Sequence, residues 1–503
     1  MAAGATGGWR TTAHTRDRSR PLSEPTREDP VAVALSEVVG GPVGAHARPH
    51  SWWTPVRVLL AVYTVVFAVG LLQKYPCGET DWSNESVRYA KMCYSDVPYL
   101  YTGRGFAEQH WPYSTSYGRY DVMEYPVLIS YFAWGASKVT ALMPSGPSEA
   151  VRAATPVAQL WGLPGMSKEV NTYFLVTAVL LFVCGIGAVL FLAGASPGRP
   201  WDAMAFALSP VLMVSALVNW DLLAVLFTAG ALWAWARGRP LLAGVMVGLG
   251  VAAKLYPLFL LGAFLVHVLW SDGRVRRLDL WTRAVVGAAV TWAVVNLPAL
   301  LTGASAWKVF WDFNSGRGAD LGSLWLVADQ LGVHSDAHRI NLVSGALFAL
   351  ACLAILALGL GAPRRPQVAQ VAFLVVASFL VVNKVYSPQY VLWLLPLAAL
   401  ARPRWRDLLI WQACELAYFA AVWIYLGGWL APSSGTDPTA YQLAIVVRVL
   451  GELYLMALVV ADIRNGTGPR TAPGDLGDLD RVEARRREPD PHVDLVADGH
   501  LDA

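Results

Sequence analysis

Apolar runs recur along most of this chain, separated for the most part by short polar turns, and a soluble core has no place to bury so many of them. They fall at 56–72, 127–143, 173–192, 203–218, 222–236, 241–253, 258–270, 284–301, 341–360, 367–382, 391–400, 408–426 and 441–460, thirteen in all. With 55% hydrophobic and 15% charged residues over 503 positions, a soluble multidomain enzyme is excluded. The expected fold class is an all-α polytopic membrane protein, a helical bundle of about twelve transmembrane helices.

Basic residues set the expected sides. Arg237 and Arg239, then Arg274, Arg276, Arg277 and Arg283, then Arg364 and Arg365, then Arg402, Arg404 and Arg406 flank the runs as cytoplasmic turns do. The net charge of +3 is therefore a matter of topology; the bilayer is the expected partner and nucleic acid is not. Residues 1–51 and 463–503 are polar, without apolar periodicity, and are expected to be disordered cytoplasmic tails around a membrane domain at 52–462. Two tails on one side require an even number of crossings, so one of the thirteen stretches does not span. The conflict falls on the four between the first loop and Arg237.

That first loop, 73–125, is the longest polar segment between two runs and is expected to face outward. It holds 9 of the 19 tyrosines, Trp82, Trp111, five Lys or Arg and seven acids, a composition fit for a folded site. Cys77 and Cys93 lie in it and, on an oxidising side, either form a disulfide or stay as thiols. Cys184, Cys352 and Cys414 sit inside apolar runs, where cysteine packs as a small hydrophobe. Asp96 stands two residues before Pro98, with Val97, Leu100, Tyr101 and Phe106 following, and is expected to cap a short surface helix.

Only seven lysines occur, and two interrupt the apolar pattern at expected outer turns, Lys254-Leu255-Tyr256-Pro257 and the turn 383–390. Each either snorkels to the interface or makes an anion site. Lys384 has the stronger case, because Tyr386, Gln389 and Tyr390 share its turn. Between two further runs, 307–318 reads as an outer segment in which Arg317 lies between two glycines, a phosphate contact or a solvated charge. Arg448 and Glu452 are spaced to satisfy each other on one helix face. Asn219-Trp220-Asp221 breaks another run, and Asp221 is expected to cap the helix that follows. No Gly-rich phosphate loop, zinc spacing or Ser/His/Asp set is present, so no metal and no cofactor is expected.

These residues, taken in order, resemble a known family. Asp96, Glu124-Tyr125-Pro126, Asn219-Trp220-Asp221-Leu222-Leu223, Ala253-Lys254-Leu255-Tyr256-Pro257 and the turn 383–390 are similar to motifs of the GT-C fold membrane glycosyltransferases, specifically glycosyltransferase family 87, the polyprenyl-phosphate-mannose-dependent mannosyltransferases of actinobacterial envelopes. The resemblance covers about 56–460. It implies a GT-C-like bundle in the cell membrane with its active site extracytoplasmic, a polyprenyl-phosphate sugar as donor, an envelope glycan or glycolipid as acceptor, and no nucleotide sugar. By the same resemblance Asp96 is the general base on the acceptor hydroxyl, and the reaction inverts the anomeric carbon. Asp81, Asp121 and Glu124 share the loop, which leaves the base open among them. Lys384, Arg317 and Lys254 are the candidate cations for the donor phosphate, and Glu124, Tyr125, Tyr386, Gln389 and Tyr390 are candidate substrate contacts. Mannose is inherited from the resemblance alone. The competing classes are a multi-spanning transporter or lipid flippase, which places charges along a path through the bilayer, and a non-catalytic scaffold. Cations gathered at outer turns beside one elaborate loop suit chemistry at one face.

Overall fold

The computed structural model describes residues 52–114, 118–196, 198–270 and 274–467 together with Ala34, and every regular element among the described residues is helical. The chain runs through α1 (Pro55–Glu79), the short α2 (Asp96–Gly103) in the first loop, α3 (Val127–Thr140), α4 (Met166–Ala195), α5 (Pro210–Ser215), α6 (Asp221–Ala236), α7 (Pro240–Ala253) and α8 (Leu260–Leu269). It continues through α9 (Arg274–Gly316), α10 (Ala337–Leu360), α11 (Val368–Val382), α12 (Val391–Ala401), α13 (Trp405–Leu426) and α14 (Thr439–Asn465). The expected tail 1–51, Ala34 apart, and residues 468–503 lie outside the described residues, and α14 runs three residues past the expected domain end at 462.

Among the described residues six helices are long and apolar enough to cross a membrane: α1, α4, α9, α10, α13 and α14. The apolar helices α6, α7, α8, α11 and α12 are shorter. At about 1.5 Å per residue a 16-residue helix reaches about 24 Å, against roughly 30 Å of hydrocarbon. Polar turns that end these helices therefore have room to gather inside the bundle.

Run 203–218 is not one helix but Pro200–Ala203, Met204–Ala207 and α5 in succession. Pro210 has no N–H to continue the preceding helix, and Ser209 Oγ accepts instead from the Leu212 N–H at 3.2 Å, starting a new one. Of the four stretches in conflict, this is the one broken in the middle.

Packing is close where small residues face each other. A Cβ added to Gly244 or Gly248 of α7 would collide with the carbonyls of Ala284 or Ala288 on α9, so the two backbones touch along that stripe. Such contact lets α9 lean over α7 and carry its far end, beyond a break at Gly303, towards the first loop. The Cβ-less Gly303 backs onto the carbonyl of Tyr113.

Candidate functional site

Ser95, not Asp96, caps α2. Its Oγ accepts from the Val97 N–H at 3.3 Å, while the Asp96 N–H donates to Val218 O at 2.9 Å. The capping position falls to Ser95 because the long-range bond to Val218 draws the Asp96 backbone against the turn before α6. That leaves the Asp96 carboxylate free of local duty. Oδ1 accepts from the Tyr94 hydroxyl at 2.8 Å, and Oδ2 accepts from Asn219 Nδ2 at 2.6 Å and from the Tyr125 hydroxyl at 3.3 Å. Burial pushes the Asp96 carboxyl above its ordinary range, opposed by the hydrogen bonds from Tyr94 and Asn219 and by the charge of Lys254, and reinforced by Asp221.

Asp221 does not cap α6 either. Trp220 holds the cap position, and no side-chain cap bond is made there. Asp221 is instead wholly buried: Oδ1 accepts from Trp393 Nε1 at 2.6 Å, and Oδ2 lies 3.6 Å from Lys254 Nζ. Lys254 follows α7 in an extended conformation, where Pro257 forbids the helix from continuing. It is 7% exposed, so it turns into the bundle rather than snorkelling. Its ammonium lies 4.9 Å from the centre of the Tyr125 ring and 6.0 Å from that of Tyr390, and it donates no hydrogen bond among the described residues. The Tyr390 ring stacks on Trp393 at 4.0 Å. The short helices thus bring three polar turns to one place.

A narrow aromatic groove opens beside this cluster, with Tyr125, Leu255, Trp292, Trp307, Phe310 and Trp311 among its walls. Asn296 braces it, accepting from Trp307 Nε1 at 2.8 Å and donating to Trp292 O. Most of the expected outer segment 307–318 is helical, forming the end of α9. Its tryptophans consequently point as a helix face into the groove.

Arg317 and Lys384 form a second cluster. Arg317 is committed to Asp320 at 2.6 Å, and Lys384 Nζ donates to Asn341 Oδ1 at 2.6 Å. The Asp320 N–H bonds Lys384 O at 2.9 Å, tying the two turns together. Burial, with the Arg317 charge close by, holds the Lys384 ammonium below its ordinary range. Tyr390 stands within electrostatic reach of both clusters, near Asp96 and Asp221 on one side and Arg317 and Asp320 on the other.

Other candidates lie elsewhere. Tyr386 is fully buried, its hydroxyl donating to Glu415 Oε2 at 2.9 Å and its ring 3.6 Å under the Arg448 guanidinium. Gln389 is buried and accepts from Ser387 Oγ at 2.8 Å. Both belong to the scaffold of their turn. Glu124 pairs with Arg104 at 2.6 Å, and the exposed Asp121 faces the same arginine at 3.7 Å. Asp81 is exposed on its turn. Of the four loop acids weighed as base, Asp96 alone meets Asn219 and lies near Lys254. Cys77 and Cys93 are joined as a disulfide. Arg448 and Glu452 pair at 2.7 Å, buried beside Glu415. Sequence reasoning missed Asn219 and Asp221 as site residues, although the polar triplet inside an apolar run was their signal. Tyr94 and Trp393 carried none.

Residues 153–383 match the model of glycosyltransferase family 87. That stretch, 231 of the 503 residues, is similar to the family and takes in the motifs at 219–223 and 253–257. The family-87 stretch contains Asn219, Asp221, Lys254 and Arg317 and ends at Asn383, whereas Tyr94, Asp96 and Tyr125 precede it. The first loop is thus folded onto turns of the matched stretch. No curated protein matches the chain.

Proposed function

We propose that this glycosyltransferase moves a sugar, mannose by its family resemblance, from a polyprenyl-phosphate donor to a hydroxyl of an envelope glycan or glycolipid on the outer face of the cell membrane. One observation carries the reading: a carboxylate held by Tyr94, Asn219 and Tyr125 shares its site with a buried lysine whose ammonium donates no hydrogen bond within the described chain. A base and an anion-seeking cation are the two groups that this transfer needs.

In this reading Asp96 takes the proton of the acceptor hydroxyl as its oxygen attacks the anomeric carbon. The bond from that carbon to the phosphate oxygen breaks, and the polyprenyl phosphate leaves with the bonding pair. Displacement from the opposite side inverts the centre. Lys254 neutralises the charge developing on the phosphate, in a site where burial strengthens the attraction. Asp221, 3.6 Å away, holds the ammonium in place. The aromatic groove beside Tyr125 and Leu255 takes the polyprenyl chain, being apolar and continuous with the lysine turn. Arg317 and Lys384 contribute from further out, each already bonded to a protein oxygen.

The test is transfer of label from radiolabelled polyprenyl-phosphate mannose in membranes that contain the chain. Incorporation into envelope glycan or glycolipid, lost in Asp96→Asn at equal protein level, is the expected result. Equal incorporation by parent and Asp96→Asn, with Asp81→Asn or Asp121→Asn inactive, overturns the base assignment. No incorporation above membranes that lack the chain overturns the donor.

A further inference from the structure

A third lysine, counted above only among the basic residues of the first loop, lies near the base. Lys74 lies near the end of α1 and is 1% exposed. Its Nζ donates to Tyr94 O at 2.9 Å, two residues before Asp96 in the chain. No carboxylate comes within 4.0 Å of it among the described residues, yet it lies within electrostatic reach of the Asp96 carboxylate. An ammonium taken out of water without a counter-charge is strongly disfavoured. Lys254 lies 3.6 Å from Asp221 and also acts on Asp96, and Asp96 is the carboxylate within electrostatic reach of Lys74.

The same end of α1 is fastened to the loop at three successive points. Gln73 Nε2 donates to Met92 O at 2.5 Å, Lys74 to Tyr94 O, and Cys77 is bonded to Cys93. Segment 91–94 is thereby held to one helix, and Asp96 is held to the turn before α6 by its bond to Val218 O. The site sets two carboxyl groups, Asp96 and Asp221, among two lysines, Lys254 and Lys74. The groups that face Asp96 are Tyr94 and Tyr99 of its own segment, Lys74 of α1, Tyr125, Asp221 of α6, and Lys254 and Tyr390 of two further turns.

We propose that Lys74 is a positioning residue for the transfer, a buried counter-charge that keeps Asp96 ionised and orients it by holding the Tyr94 carbonyl. This rests on the reading of Asp96 as base, but the charge relation between the two residues is testable without it. The sign is fixed by electrostatics. A cation near a carboxylate favours its ionised form, so removing Lys74 raises the pH at which Asp96 loses its proton, by about one unit if the charge is felt at close range. A lysine that merely ties down a loop would leave that pH where it is.

The experiment uses the full-length protein in membranes. A hydrophobic carbodiimide reacts with protonated carboxyls, and mass spectrometry of the Asp96 peptide reads its labelling against pH. Lys74→Met, and Lys74→Gln, which keeps a donor for Tyr94 O without the charge, should both move the labelling midpoint up by about one pH unit, while Lys74→Arg stays near the parent. The acid limb of transfer from polyprenyl-phosphate mannose should move up by the same amount. If the Met and Gln chains do not accumulate, the Lys74→Met/Asp96→Asn double variant should, because it leaves no odd buried charge. An unchanged midpoint in Lys74→Gln, or a double variant as poorly accumulated as the single ones, overturns the proposal. A midpoint shifted in the Lys74 variants, with a parent protein that transfers no mannose, leaves the pair standing and fells the donor reading instead.

Discussion

Asn219 Nδ2 donates to Asp96 Oδ2 at 2.6 Å and to the Tyr125 hydroxyl at 2.7 Å, joining three residues from three separate stretches of chain. Asn219 Oδ1 accepts from the Trp220 N–H, which leaves Nδ2 pointing at Asp96. Asn219 thus joins the first loop to the matched stretch 153–383, beside the backbone bond from the Asp96 N–H to Val218 O.

Removing it should be expensive for transfer and mild for folding. A hydrogen bond to a charged group is worth about 1.5–3 kcal/mol, so Asn219→Ala should lower kcat/KM roughly tenfold to a hundredfold. Asn219→Asp should do worse, since it places a second carboxylate against Asp96 and favours protonation of the base. Steady-state transfer at matched protein levels checks both, and an Asn219→Asp enzyme as active as the parent would count against Asp96 as an ionised base.

Lys254 and Lys384 should separate in their effects. Lys254→Met removes the only charge facing Asp221 within 4 Å among the described residues and the cation assigned to the phosphate, so donor use should fall by a hundredfold or more, on the order of 3 kcal/mol. Lys384→Ala breaks a bond to Asn341 and should cost about tenfold or less, on the order of 1 kcal/mol, the contact being half exposed. Titrations of donor and acceptor at fixed protein decide the matter: a larger loss at Lys384 than at Lys254 would return the phosphate to the Arg317 turn.

The buried set of Arg448, Glu452 and Glu415 should govern assembly rather than chemistry. Arg448 donates to Glu452 Oε1 at 2.7 Å and to Gly322 O at 3.1 Å, and it covers the Tyr386 ring. Gly322 adopts a positive φ of 69°, and a Cβ there would collide with the Tyr418 hydroxyl and the Tyr386 carbonyl. Arg448→Leu strands two buried carboxylates and should cost about 3–5 kcal/mol, seen as loss of protein from the membrane or a lowered Tm in detergent. Glu452→Gln should be milder, because it keeps the shape and removes one of two like charges.

Orientation is checked by cysteine labelling in cells, with Cys184, Cys352 and Cys414 replaced. Asp121 and Arg239 are both exposed, on turns assigned to opposite sides. Arg239 is preferred to its neighbour Gly238, whose φ of 66° disfavours a side chain. A cysteine at 121 should react with an impermeant reagent in intact cells, and one at 239 only after lysis. The reverse pattern would put the site in the cytoplasm and exclude an outer-face donor.

The sequence by itself determined the all-helical membrane class, because an apolar run has one stable form in lipid whatever its neighbours are. It also marked Asn219-Trp220-Asp221 and Lys254 as anomalies, since a polar group inside such a run needs a partner to persist. What it left open was direction. Two adjacent polar residues, Ser95 and Asp96, are each competent to cap α2; the bond from the Asp96 N–H to Val218 O, 122 positions away, assigns the cap to Ser95 and turns the carboxylate towards Asn219. Likewise Asp221 has a cap's sequence but meets Trp393 and Lys254 instead, and Lys74, one of the basic residues of the polar loop by sequence, is buried at the end of α1 against Tyr94 O. Period and composition are local properties, readable residue by residue. Which partner a polar side chain finds depends on which distant turn the packed helices bring beside it, and only the tertiary structure decides that.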